Sequence, residues 1–244
     1  MSTLRMAVRA EWTKLRTTPG PGWLLLVAAT VTVALGAAVS GAAGCGRTGC
    51  EIDATRIAFS GVYLGQAPIA VVAVLAISGE HSTALIRTTL TAIPNRPIVL
   101  AAKALVLAVV VAAVGGPTMV VSFLVGRIVL HDGLTLRATV GSVVYLMLIA
   151  LLSLGVAAVV RDSAAAIGTV LGLLYLPPIL TAMVANPHLH RLLEQAAPRD
   201  AGLAVQATDL RHLPIGPWAG LGVLAAWAAG ALLAGALLLR LRDT

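Results

Sequence analysis

Residues 98–125 read IVLAAKALVLAVVVAAVGGPTMVVSFLV, an apolar run broken by one charge, Lys103. About 20 such residues cross a hydrocarbon core roughly 30 Å thick. The run is apolar all round, as a lipid-facing or buried helix is, and lacks the short apolar–polar alternation of a barrel strand. Gly115-Gly116-Pro117 sits inside it, so a kink or break is expected there, because proline removes a backbone donor. Working outward, five more blocks have the same character: 23–43, 57–78, 138–160, 163–185 and 218–239. Arg161-Asp162 alone separates the fourth from the fifth, which predicts a tight hairpin, and Pro177-Pro178 should bend the fifth. The fold expected is an all-α polytopic membrane protein of about six spans, in a single membrane domain covering 1–244.

Composition agrees. The chain is 59% hydrophobic and 11% charged, with a mean hydropathy of +0.95, against roughly half and a quarter for soluble domains. The formal charge is +7. Its Lys and Arg residues are scattered among the connections and form no patch with interleaved aromatics, so no nucleic-acid partner is expected. The first block is longer than the apolar core of a signal peptide and follows some twenty residues containing Glu11 and Trp12. It reads as an uncleaved first span.

Orientation follows from the basic residues. With the amino terminus inside, one face collects Arg5, Arg9, Lys14, Arg16, Arg87, Arg96, Lys103, Arg161, Arg240 and Arg242; the other has Arg47, Arg56, Arg127, Arg137, Arg191, Arg199 and Arg211. Ten against seven places both termini in the cytoplasm of a multi-pass plasma-membrane protein. Cys45 and Cys50 then share an outer loop, either as a disulfide or as two free thiols.

Two stretches outside the spans carry pattern. In 3–18, Leu4, Val8, Trp12 and Leu15 fall within one helical arc, edged by Arg5, Arg9 and Arg16. That suits a helix lying in the headgroup layer on membrane lipids, its arginines on phosphates, with Thr17–Gly22 as the break before span one. The alternative is a basic tail that only fixes topology. The connection 79–97 reads GEHSTALIRTTLTAIPNRP. Ile86, Leu90 and Ile93 share a face of a short helix that Pro94 ends. Such a face fits a partner's groove, or packs under the bundle.

The surface helix before span one and the helix between spans two and three resemble the permease subunits of ABC-2 type transporters. Glu80, then Ile86-Arg87-Thr88-Thr89-Leu90, Ala92, Pro94, Arg96 and Lys103 are similar to that family's wording after the second span. Glu11-Trp12-Thr13-Lys14-Leu15 is similar to many actinobacterial members. The resemblance implies an exporter permease that pairs with a second copy or paralogue, as homodimer or heterodimer. It also implies separate cytoplasmic ABC ATPase subunits, coupled through Glu80, Ile86, Arg87, Leu90, Ile93, Pro94 and Arg96. ATP and Mg would belong to the ATPase, with no cofactor in this chain. Short helices dipping back between spans five and six are implied as well. Residues 186–216 have room for them, although Arg191, Glu194, Arg199, Asp200 and Arg211 make the stretch polar.

The search for catalytic residues is negative. No G-x-x-x-x-G-K-[ST] phosphate loop is present, so ATP hydrolysis is not expected here. Gly220–Ala225 formally fits a dinucleotide fingerprint but lies inside a span with no preceding strand, so helix packing is the reading. Ala226, Gly230 and Ala234 form a small-residue stripe, either a helix-approach surface or an accident of an Ala-rich span. His188, His190, Glu194 and His212 lack the spacing of a metal set, and no metal is expected. An intramembrane lipid-modifying enzyme, the rival reading, needs ionisable groups at membrane depth. The span interiors offer Lys103 alone, near an end where it can snorkel. A non-transporting sensor subunit is also compatible.

Overall fold

The computed structural model describes residues 2–43, 53–82, 96–130, 135–208 and 213–241. All regular structure in them is helical. α1 spans Ser2–Thr17, α2 Pro19–Ala42, α3 Ala54–Ala58, α4 Val62–Ser82, α5 Arg96–Leu130, α6 Leu136–Val160 and α7 Ser163–Met183; α8 spans Pro187–Ala196, α9 Pro198–Leu203 and α10 Pro217–Leu241. A 3-10 turn, Ala204–Gln206, follows α9. Six helices (α2, α4, α5, α6, α7 and α10) are long and apolar enough to cross a membrane. The expected six spans are therefore present, and they run alternately up and down. α1 and the end of α10 lie at one end of the bundle, the α1 end.

The helix ends follow local chemistry. Thr17–Gly22 does not break the chain as expected: Thr18 alone is extended, and Pro19 already opens α2. Proline suits a first turn, whose amide would lack a partner anyway, and it forces the preceding residue out of the helical region. α5 runs unbroken through Pro117, so the expected break is absent; membrane helices absorb a proline where neighbours re-satisfy the backbone. Its apolar stretch of 34 residues is about 51 Å long, so it tilts in a bilayer or protrudes from it. The hairpin at 161–162 is as read. Arg161 is left-handed at φ 66, and the Asp162 carboxylate accepts from the Ala165 amide at 2.7 Å, capping α7. The second block differs from expectation, because α3 and a turn precede α4. Asp53 caps α3, and Gly61 touches the Thr32 carbonyl so closely that a Cβ would sit 1.8 Å from it.

α6 is the central helix. Tyr145, Ile149, Ala150, Leu154, Ala157 and Ala158 are fully buried, with α4, α5, α7 and α10 around them. Small residues let the backbones close up. A Cβ on Gly155 would meet Leu232 backbone at 2.6 Å, and one on Gly235 the Ala158 methyl at 2.7 Å.

Between α7 and α10 the chain folds back on the bundle at the end opposite α1. α9 and the 3-10 turn are buried along α6. Gly202 lies against the Tyr145 ring, Val205 against Gly141, Gln206 donates to Ser142 Oγ at 2.9 Å, and Arg137 donates to the Ala207 carbonyl at 2.5 Å. Tyr145 is about 13 Å along α6 from Leu136. α9 and the turn thus pack into the bundle, while α8 stays on the surface with no buried residue.

Candidate functional site

The ionic centre of the described chain lies where α1 crosses the bundle. α1 was expected to present Leu4, Val8, Trp12 and Leu15 together. The helix does form, and Arg5, Arg9 and Arg16 are exposed. It is rolled, however, so that Ala7 and Glu11 are its buried positions, Val8 and Leu15 are half-buried, and Trp12 is 43% exposed. Leu4 is within the helix.

The roll has an electrostatic cause. Glu11 is 5% exposed and Lys103 of α5 equally so. Lys103 Nζ donates to Glu11 Oε2 at 2.6 Å, and Lys14 Nζ donates to Glu11 Oε1 at 3.1 Å. An unpaired buried charge is far costlier than the alternative, so the carboxylate turns inward to the ammonium. The expectation that Lys103 snorkels to water is corrected here: it is buried and paired across helices.

Below this pair is a cavity of about 380 Å³ between α1, α2, α4 and α5. Glu11, Lys14, Lys103 and Thr18 stand at its polar end, and Leu24, Leu75, Val106 and Leu107 form the apolar remainder. Gly20 and Gly79 also line it, and a Cβ on either would meet open space.

Two of the coupling residues read from the sequence lie in described helices. Glu80 lies in the last turn of α4, and Arg96 opens α5. Ile86, Arg87, Leu90, Ile93 and Pro94 are outside the described residues, as are Cys45 and Cys50. In the sequence Glu11 and Lys103 stand 92 residues apart, each read on its own. The signal that joins them was present: the only acid of a basic helix and the only charge of an apolar run each need a partner.

At the opposite end a second polar group ties α9 down. The Arg199 guanidinium stands over the rings of Tyr63 (4.8 Å) and Tyr175 (5.2 Å), a cation–π arrangement. Tyr175 donates to the Tyr63 carbonyl at 2.5 Å. Tyr145 donates to Gln66 Oε1 inside the bundle. Burial raises the pKa of Asp200, with Glu194 adding to the rise while Arg199 and Arg56 oppose it. Asp53 accepts from both the amide and the hydroxyl of Thr208, which ties α3 to the end of this segment. His190 engages the Thr181 carbonyl at 2.9 Å and Glu194 at 3.3 Å. Among the described residues no three His, Cys, Asp or Glu gather as metal ligands. Gly220, the first glycine of the formal fingerprint, packs on the Ala201 carbonyl, where a Cβ would stand at 1.9 Å. That contact is structural. The stripe Ala226, Gly230, Ala234 faces outward.

A scan against protein-family models finds no match to this chain, and a search of curated proteins finds none.

Proposed function

We propose that this chain is the membrane-spanning permease subunit of an ATP-driven, ABC-2 type exporter. It pairs with a second permease, identical or paralogous, and with cytoplasmic ATPase subunits. The observation that carries the reading is the layout at the α1 end. A surface helix precedes span one and lies at the same end of the bundle as Glu80 and Arg96, which flank the connection between spans two and three. The family-like wording of that connection and of Glu11–Leu15 supports it, as does the folded-back segment between spans five and six.

The mechanism is mechanical. Closure of the ATPases pushes on residues 80–94, α4 and α5 move with it, and the Glu11–Lys103 pair carries the displacement to α1. The substrate path reorients at the interface of the two permeases. ATP and Mg act in the ATPase, and no residue here does covalent chemistry. The excess of basic residues on the α1 side supports a cytoplasmic position for that end, in a plasma-membrane protein.

Leu90→Asp tests the coupling surface. Burying an aliphatic side chain in a partner's groove stabilises by about 1.5–3 kcal/mol, and a carboxylate there adds a desolvation cost. The variant should insert normally yet lose the ATPase on affinity purification. Retention with normal export would remove 80–94 as the coupling element.

A further inference from the structure

The cavity beneath α1 has a polar end and an apolar body, and α1 sets the charge around its mouth. Helix α1 carries Arg5, Arg9, Lys14 and Arg16 against one acid, Glu11. That acid is turned into the bundle, where it accepts from both Lys103 and Lys14, while the three arginines are exposed and the Lys14 side chain, 39% exposed, reaches the cavity rim with donors beyond the one on Glu11. The headgroup layer beside the opening therefore meets only positive charge from α1. Inward, Leu24, Leu75, Val106 and Leu107 continue the cavity. Leu107 lies about 15 Å along α5 from Pro97, where the apolar stretch begins. That is about half the thickness of a hydrocarbon core. Leu75 is 40% exposed on the α4 wall, so that side of the cavity is not sealed by side chains of this chain.

We infer that this cavity is a binding site for an anionic phospholipid of the leaflet on the α1 side. One acyl chain fills the apolar body and the phosphate meets Lys14 at the rim. The charge complementarity favours an anionic head over a zwitterionic one, since a basic residue near a lipid surface attracts anionic lipid. A volume of this size with a few polar groups at one end is typical of a ligand pocket. The inference needs α1 in the headgroup layer and does not need the exporter reading; a chain that captured no ATPase would leave it standing.

The experiment uses the full chain in phosphatidylcholine nanodiscs, doped in separate arms with phosphatidylglycerol, phosphatidylcholine or free oleate, each with a photoreactive group in the acyl chain. Cross-links are mapped by mass spectrometry. The expected result is phosphatidylglycerol labelling at Leu75, Val106 and Leu107 that exceeds phosphatidylcholine labelling. Lys14→Gln should lower that preference about fivefold, the effect of one basic charge near the surface. Gly79→Leu, which grows into open space, should abolish labelling within the cavity; Gly20→Leu serves the same purpose should the first variant fail to insert. Equal labelling by both phospholipids overturns the charge selection. Labelling by oleate alone, or cross-links confined to outer span surfaces, overturns the site.

Discussion

A single carboxylate fixes how α1 sits. Glu11 is buried between the ammonium groups of Lys103, itself buried, and Lys14, which is partly exposed. Removing one partner of such a buried pair costs about 3–5 kcal/mol, whereas replacing both by apolar residues of similar size is often neutral or stabilising. Lys103→Met and Glu11→Leu should each lower the thermal midpoint in detergent, and the double variant should recover most of the loss. Two additive losses would contradict the pairing. Glycines give a second test. Gly220→Ala drives a methyl into the Ala201 carbonyl and should cost about 1–3 kcal/mol, as overpacking does. Gly230→Ala meets nothing within 4 Å and should leave the midpoint unchanged or raise it. Asp200 gives a pH test. Its folded pKa is raised, chiefly by burial, so the folded state holds the proton more tightly than the unfolded chain. The stabilisation is complete below the ordinary carboxylate value of 3.8 and is lost as pH rises through the raised folded value. Asp200→Asn should therefore be more stable than wild type at neutral pH, with the difference closing toward pH 4.

Among the elements, the spans were legible because twenty apolar residues in a row have few alternatives. Where Pro19, Gly61 and Pro117 stand, reading was less sure, since the same residue opens, kinks or is tolerated by a helix depending on its neighbours. Pro19 opens α2, Gly61 marks a close approach to Thr32, and Pro117 leaves α5 intact. The roll of α1 was hidden for a different reason: periodicity counts apolar positions and does not know that Lys103, some ninety residues on, waits for Glu11. α9 was implied only by resemblance, because Arg199 and Asp200 look unsuited to burial until Tyr63 and Tyr175 are seen around the guanidinium. The sidedness of these elements is open to a direct check. Single cysteines at 85 and 192, in a Cys45→Ser, Cys50→Ser background, should differ toward an impermeant thiol reagent on intact cells. Position 192, on exposed α8, should label and position 85 should not; the reverse would invert the molecule.

For the whole molecule, six alternating spans bring α1, the end of α4, the start of α5 and the end of α10 to one end of the bundle, and leave the folded-back segment at the other. That polarity is what the proposed subunit, pushed from one side by an ATPase, would require. It also explains why the site was only partly legible: its residues come from α1, α2, α4 and α5, and their proximity is a property of topology. The central claim is that this subunit works with a separate ATPase, and affinity purification of the intact chain from its own membranes tests it most directly. The account predicts that a nucleotide-binding ATPase is retained in near-stoichiometric amount and that its ATP turnover changes on reconstitution with this chain. Wild-type protein that is folded and inserted, yet carries no ATPase and alters no turnover, would contradict it.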